Sequence, residues 1–229
     1  GQIVITGSLH PLIYVTKGTA VRGEIVGIAG LMGTGRTELA MSIFGRSYGK
    51  GQTGTVRMHG KAVDVSTVSR AIEAGISYVT EDRKALGFIP ALSIKENISL
   101  SSLANFSKAW FVNSSDEHLA ATQLATDLKI KSTSINQKVM TLSGGNQQKV
   151  VIGKVLLTSP SLVILDEPTR GIDIGAKFEI YKLINQLTDR GIAVIMISSE
   201  LPEILGISDR VLVLSKGKRF GKNTKFSKK

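Results

Sequence analysis

The chain is 229 residues long, 42% hydrophobic, carries a formal net charge of +11 and contains no cysteine. That length suits one sizeable core, or a core carrying a smaller lobe, and the missing cysteines exclude a disulfide framework and a thiolate metal site. The three histidines, His10, His59 and His118, are too scattered for a metal cluster, and no apolar run approaches the roughly 18 residues a membrane-spanning helix needs, so any membrane role is expected to be peripheral.

The opening GQIVITGSLHPLIYVTKGTAV reads as β-rich material whose pairings the pattern does not define. GEIVGIA, Gly23 to Ala29, is a strand of buried type, and the glycine-rich GLMGTGRT, Gly30 to Thr37, leads from it into the helix-like ELAMSIFG. ISYVT, Ile76 to Thr80, is the next strand. Between Lys84 and Thr158 the strand signal fades, and SIKENISLSSLANF, SDEHLAATQLATDLKI and NQQKVVIGKVLL carry helical patterns. Strands return with LVILD (Leu162 to Asp166), AVIMIS (Ala193 to Ser198) and RVLVLS (Arg210 to Ser215), the last entering a hairpin at Lys216-Gly217-Lys218. Strands alternating with amphipathic helices predict an α/β fold with a mostly parallel sheet, a β-rich N-terminal part and an inserted helical subdomain. A single domain of residues 1–229 is expected, with a core at about 1–83 and 159–229 and the helical subdomain at about 84–158. The lone Trp110 is expected to pack within that helical lobe.

After Asp209 no acidic residue occurs, whereas Lys216, Lys218, Arg219, Lys222, Lys225, Lys228 and Lys229 supply seven positive charges. The remainder holds 22 basic and 18 acidic residues, so the charge sits largely in a solvated tail and no nucleic-acid partner is expected.

Three segments carry chemistry. GLMGTGRT fits G-x-x-x-x-G-K-[ST] except that Arg36 stands where lysine is expected. Gly30, Gly33 and Gly35 let successive N–H groups face one centre, the following helix N-terminus adds partial positive charge, and a polyphosphate fits there, with the Thr37 hydroxyl available to Mg²⁺. Arg36 keeps the charge but replaces a compact ammonium with a longer planar fork. LVILDEPTRGID sets Asp166 at the carboxyl end of a strand, where ligands gather in parallel sheets, and Glu167 just beyond it. An aspartate there can hold Mg²⁺, and the neighbouring glutamate can polarise an attacking water. In LSGGNQQKV, Leu142 to Val150, Ser143 is expected to cap a helix, forming with Gly144 and Gly145 a second anion-binding surface. One nucleotide cannot readily touch both surfaces unless they lie side by side, whereas two chains arranged head to tail can each contribute one.

The succession GLMGTGRT, LSGGNQQK, LVILDEPTRGID and ISSELPE closely resembles the ATP-binding cassette (ABC) family of transporter ATPases, from Arg22 to about Gly217. LSGGNQQK with DEPTRGIDIGAKFEIY looks most like the ATPases of bacterial pentose and multiple-sugar importers, in which two cassettes share one polypeptide, and this chain looks like the second. The resemblance implies a P-loop NTPase fold of ABC type, with ATP and Mg²⁺ as ligands. It implies nucleotide binding by Gly30, Gly33, Gly35, Arg36 and Thr37, metal contacts from Thr37 and Asp166, and Glu167 as the water-activating base. Ser143, Gly144 and Gly145 become a signature that closes over the other cassette's nucleotide, and Asp173 belongs to the loop joining the two sites. Implied partners are another cassette in a head-to-tail dimer, within the same polypeptide, membrane permease subunits and, indirectly, a sugar-binding protein. The implied location is the cytoplasmic face of the plasma membrane. A missing N-terminal cassette is the simplest explanation for the irregular start.

Three positions depart from the family pattern. Arg36 replaces lysine. Glu81, in YVTEDRK, stands where glutamine is usual, and Ser199, in ISSELPE, stands where a histidine normally meets the γ-phosphate. These departures predict an ATPase whose own site turns over weakly. The alternatives are a non-hydrolysing module that completes a partner's site, and a soluble cassette protein of DNA repair or translation. Tyr14 is too near the phosphate loop for the family's adenine-stacking aromatic, so no adenine contact is assigned.

Overall fold

The computed structural model describes residues 2–7, 13–16, 23–31, 33–46, 54–108, 111–215 and 218–225, with backbone alone for 2–7, 13–16, 108 and 218–225. Trp110, the side chain of Tyr14, Lys216, Lys228 and Lys229 lie outside the described residues. In chain order the first elements are β1 (Gln2–Gly7), β2 (Ile13–Thr16), β3 (Ile25–Ala29), α1 (Arg36–Ile43), β4 (Gly54–Met58), β5 (Lys61–Val63), α2 (Val68–Glu73) and β6 (Ile76–Val79). Then come α3 (Ile94–Ser99), β7 (Ser107–Lys108), β8 (Phe111–Val112), α4 (Ser114–Asp127) and α5 (Gly144–Leu156). The chain closes with β9 (Leu162–Asp166), α6 (Ile174–Asp189), β10 (Ala193–Ser198), α7 (Leu201–Ile207), β11 (Arg210–Ser215) and β12 (Lys218–Lys225).

Two compact units result: 1–81 with 161–168 and 184–229, and 82–160 with 169–183. The segment 169–183 groups with the second unit, not with the core to which the sequence pattern assigns 159–229.

The first unit holds a six-stranded sheet in the order β12-β11-β3-β10-β9-β6, parallel throughout except for the β11–β12 hairpin. Every residue of β3, β9 and β10 is buried, as their largely apolar, Val- and Ile-rich sequences suit strands covered on both faces. Burying each such side chain contributes about 1.5–3 kcal/mol. Ala40 and Ile43 of α1 join Ile28, Ile164, Ile195 and Ile197 in one core cluster, which ties the helix after the glycine loop to the centre of the sheet. β1 and β2, whose pairing the sequence leaves open, form with β4 and β5 a four-stranded antiparallel sheet, order β2-β1-β4-β5.

Helices dominate the second unit. α3 starts with a capping box in which Ser93 Oγ accepts from Glu96 N at 3.2 Å and Glu96 Oε2 accepts from Ser93 N at 2.8 Å. The predicted single helix over 93–106 instead ends at Ser99 and continues as a 3₁₀ helix, Leu100–Phe106, kinked at Ser102. Serines at 99, 101 and 102 compete for backbone groups and weaken the α form there. Helix α5 approaches its neighbours closely at Gly153, where an added Cβ would stand 3.1 Å from Leu128 and 3.4 Å from Ile98. Buried Glu117 accepts from Ser99 Oγ at 2.6 Å and Lys95 Nζ at 2.9 Å, so its charge is compensated inside the unit.

Candidate functional site

Register across three adjacent strands brings the carboxyl ends of the first unit together. Ile197 lies opposite Asp166 and Ser198 opposite Ala29, so Gly30, Glu167 and Ser199 all leave the sheet at one level. The glycine loop begins where β3 ends. Gly33 and Gly35 adopt left-handed φ of 77° and 90°, which fits the expected curl of the loop, and Gly35 occupies the N-cap of α1. Gly30 answers a different demand, because an added Cβ would stand 2.7 Å from the Leu214 carbonyl and from Thr34 Oγ1.

Helix α1 opens with Arg36 and Thr37. Arg36 is buried, and its Nη1 lies 3.2 Å from Glu167 Oε1, with side chains 8% and 9% exposed. The same Glu167 oxygen accepts from the backbone N–H of Ser199 at 2.7 Å. The Ser199 residue therefore reaches Glu167 through its main chain, a contact that needs no histidine. Glu167 itself sits at φ 46°, a left-handed conformation uncommon for a residue with a side chain, and such strain clusters at functional positions.

Asp166 is fully buried at the end of β9. Its Oδ2 accepts from the Tyr78 hydroxyl at 2.9 Å, while Oδ1 is buried without a hydrogen-bond partner. Burial pushes the Asp166 carboxyl above the usual carboxylate range, against the lowering influence of the Thr37 and Tyr78 hydroxyls. A carboxylate oxygen left without a partner in a buried, electrostatically costly place suits a cation, and Thr37 beside it adds the hydroxyl that a hard divalent ion accepts. The residues present therefore fit Mg²⁺. Among the described residues no group of three or more His, Cys, Asp or Glu forms a resident metal cluster.

A pocket of about 390 Å³ lies against Gly30, Leu31 and Thr34 on one side and Ser199 and Leu201 on another. Its walls are mostly apolar. The groups whose chemistry suits an anion at this end of the sheet are the α1 N-terminus and Arg36.

Ser143, Gly144, Gly145 and Asp173 belong to the second unit. The two glycines are the first residues of α5, at the helix start expected of them. Close approach requires the second: a Cβ on Gly145 would stand 2.5 Å from Ala176 Cβ, whereas one on Gly144 would crowd Arg83 Nη2 at 2.9 Å and the Gly171 carbonyl at 3.2 Å. Ser143 holds the N-cap position but does not cap with its side chain, as the sequence pattern suggests it should. Its hydroxyl accepts instead from Asn146 Nδ2 at 2.9 Å, because the amide three residues on competes for the same oxygen. Asp173 Oδ1 accepts from Ala176 N at 2.9 Å at the start of α6.

Two residues escape a motif-based reading. Arg83 opens a short π-helix, Arg83–Gly87, and donates to the carbonyls of Arg170 (2.6 Å) and Gly171 (2.9 Å), clamping the loop that also faces Gly144. Burial lowers the Arg83 pKa from its ordinary value. Tyr78 is the other. Its only sequence signal is its place on a strand that reads as core. Glu81 follows β6 by two residues, at the end of the segment 1–81 of the first unit.

Residues 16–170 match the ABC transporter family. The chain belongs to that family. Among curated proteins it is 57% identical over 200 residues to the L-arabinose transport ATP-binding protein AraG of Geobacillus stearothermophilus, covering 87% of this chain and 39% of that protein. It is 55% identical over 199 residues to the xylose import ATP-binding protein XylG of Thermoanaerobacter pseudethanolicus, covering 87% and 39%. Identity to the ribose import ATP-binding protein RbsA of Caldanaerobacter subterraneus is 49% over 221 residues, covering 96% and 43%. The chain thus spans less than half the length of these curated relatives. Among solved structures, an ATP-binding cassette of an ABC transporter in its ADP conformation superposes with TM-score 0.78 at 20% identity, covering 98% of this chain and 90% of that one. A nucleotide-free cassette superposes with TM-score 0.79 at 21% identity, covering 99% and 91%. The fold is therefore that of an ABC ATPase, with a mostly parallel sheet core and helical parts. Among the described residues no helix is long and apolar enough to cross a membrane.

Proposed function

We propose that this chain is an ATP-binding cassette of a carbohydrate importer, the second of a tandem pair, which couples ATP binding and hydrolysis to sugar uptake while its own site turns over weakly. The sugar-import reading is supported by the names of relatives about half identical to the chain, which are arabinose, xylose and ribose import ATP-binding proteins. The partners in this reading are another cassette, head to tail, permease subunits at the cytoplasmic face of the membrane, and indirectly a sugar-binding protein. Closure of the cassette dimer on ATP would drive the permease between its inward and outward states.

The single observation that carries the weak-site reading is the buried pair between Arg36 and Glu167. The phosphate loop's one side-chain cation is spent on the carboxylate that a water-activating base would use. Gly30, Gly33, Gly35 and the α1 N-terminus orient the polyphosphate, and Arg36 meets its terminal groups once released from Glu167. Thr37 Oγ1 and Asp166 Oδ1 would hold Mg²⁺, which when bound supplies charge neutralisation at the phosphate oxygens. Glu167 accepts a proton from the attacking water, oriented by the Ser199 N–H. Glu81 and Ser199 complete the site with neither the usual amide nor the usual imidazole, a further reason for slow turnover. Ser143, Gly144, Gly145 and Asp173 serve the other cassette's nucleotide.

Nucleotide binding and ATP hydrolysis measured on the chain test this reading, which expects binding with weak turnover. Robust hydrolysis abolished by Glu167→Gln would contradict the weak site. The Arg36–Glu167 pair also favours a second reading, a cassette that binds nucleotide and never hydrolyses it. In the two-cassette protein, Gly144→Ala costing far more ATPase activity than Glu167→Gln supports that second reading.

A further inference from the structure

The two oxygens of Asp166 are unlike. Oδ2 accepts from the Tyr78 hydroxyl at 2.9 Å, and Oδ1 is buried without a partner. Parallel register explains the contact: Tyr78 on β6 lies opposite Ile164 on β9, and Asp166, two residues further along, points from the same sheet face. The Tyr78 ring is braced in turn by Phe44, with ring centroids 5.6 Å apart. Phe44 is the C-cap of α1, the helix whose first turn carries Thr37. One helix therefore sets Thr37 against the carboxylate and steadies the tyrosine that orients it.

Hydrogen bonding gives the arrangement a direction. A phenol has a single proton to donate, and here it goes to Oδ2. With Oδ2 engaged, the carboxylate cannot rotate freely about its last torsion, and Oδ1 remains the oxygen available to a ligand. Partners behind a ligating group fix its orientation and tune metal affinity, typically by about 10–100-fold.

We propose that Tyr78 is a positioning residue: its hydroxyl holds the Asp166 carboxylate with Oδ1 turned to the cation and so sets the Mg²⁺ dependence of nucleotide binding. This rests on the reading of Asp166 as the metal-linked carboxylate. Tyr78 touches neither metal nor nucleotide in this account and acts only through Asp166. Without the hydroxyl, Oδ2 is left buried and unsatisfied, the carboxylate loses its fixed rotamer, and cation binding must supply the order that Tyr78 now supplies.

The test titrates Mg²⁺ against a fluorescent ATP analogue bound to the chain, with Tyr78→Phe and Asp166→Asn beside the wild type. Tyr78→Phe is expected to raise the half-saturating Mg²⁺ concentration about tenfold and to leave nucleotide binding in excess chelator unchanged, a split that loss of fold alone would not give. Asp166→Asn is expected to remove most of the Mg²⁺ dependence. A wild-type Mg²⁺ curve for Tyr78→Phe beside a flattened one for Asp166→Asn overturns the role of Tyr78 and leaves that of Asp166 standing. A wild-type curve for Asp166→Asn overturns both. Should Tyr78→Phe not fold, Phe44→Leu keeps the hydroxyl and removes its brace; a smaller shift in the same direction supports the proposal, and an unshifted curve overturns it.

Discussion

The phosphate-loop region of the first unit and the LSGGNQQ region of the second solve opposite problems. Around the phosphate loop, charges are buried and only partly compensated: Arg36 Nη1 lies 3.2 Å from Glu167 Oε1 as an ion pair without a hydrogen bond, and Asp166 accepts from Tyr78 at Oδ2 while Oδ1 has no partner. Around LSGGNQQ, Gly145 is buried against the Ala176 side chain, and Gly144 faces the Arg83 guanidinium and the Gly171 carbonyl, while Arg83 holds the carbonyls of Arg170 and Gly171. The first region is built around charges that a ligand must displace or complete. The second is a shaped surface whose supporting charge is already committed to carbonyls. Within one chain, then, the departures from the family pattern at Arg36 and Ser199 fall at residues that contact Glu167, while Gly145 sits where a Cβ would collide with Ala176.

The largest effect separating the regions should come from Arg36→Ala. It strands Glu167 as a buried, unpaired carboxylate, and breaking such a pair from one side costs about 3–5 kcal/mol. Chemical denaturation should show most of that loss recovered in Arg36→Ala/Glu167→Gln, because the stranded charge is gone. Equal stability of the single and double variants would mean the pair is not a buried ion pair in solution.

Next is Arg83→Ala, which removes two hydrogen bonds from a charged donor to the carbonyls of Arg170 and Gly171. The clamp is partly solvated, so the stability cost should be near the low end of the range for charged hydrogen bonds, about 1.5 kcal/mol. Proteolytic cleavage near Arg170 should rise by more than global stability explains. Arg83→Lys should recover only part of the protection, since one ammonium cannot fork across two carbonyls as a guanidinium does.

Smaller effects follow from pH, with opposite signs in the two units. Burial raises the Asp166 pKa above 3.8, so the folded state favours its protonated form; the stability it contributes is present below 3.8 and lost as pH rises through the folded value. Asp166→Asn should therefore raise the melting temperature of the nucleotide-free chain at neutral pH while removing Mg²⁺ dependence, a trade of function for stability. Burial raises the pKa of Glu117, but its bonds from Ser99 and Lys95 outweigh that and lower it from 4.5. Its contribution is present above 4.5 and lost as pH falls through the folded value. Glu117→Gln should lower the melting temperature at neutral pH and flatten its decline in acid.

Much of the sheet was legible because the first unit buries its strands on both faces. LVILD, AVIMIS and RVLVLS each end one residue past the apolar run, at Asp166, Ser198 and Ser215. The antiparallel sheet was not, since β4 and β5 are short, largely exposed and lack an apolar run, and β1 and β2 pair with each other and with β4 over a separation that periodicity does not encode. The grouping of 169–183 with the second unit depends on long-range packing around Gly144 and Gly145, which no local pattern announces. At the site, Gly30, Arg36, Asp166 and Glu167 were legible as motif positions, while Tyr78 was hidden because its hydroxyl matters only once register sets it beside Asp166. Arg83 was hidden for a similar reason, as its partners are carbonyls 87 and 88 residues away. Ser143 was legible in place and misread in bonding, because Asn146 captures the hydroxyl.

The claim that joins these observations is that Arg36 is held by Glu167 and must leave it to meet a phosphate. ADP affinity tests it directly, since no hydrolysis intrudes. Compared with the wild-type chain, Glu167→Gln removes the competing charge and should tighten ADP binding about tenfold, equivalent to about 1.4 kcal/mol. Unchanged or weaker ADP binding in Glu167→Gln would contradict the account.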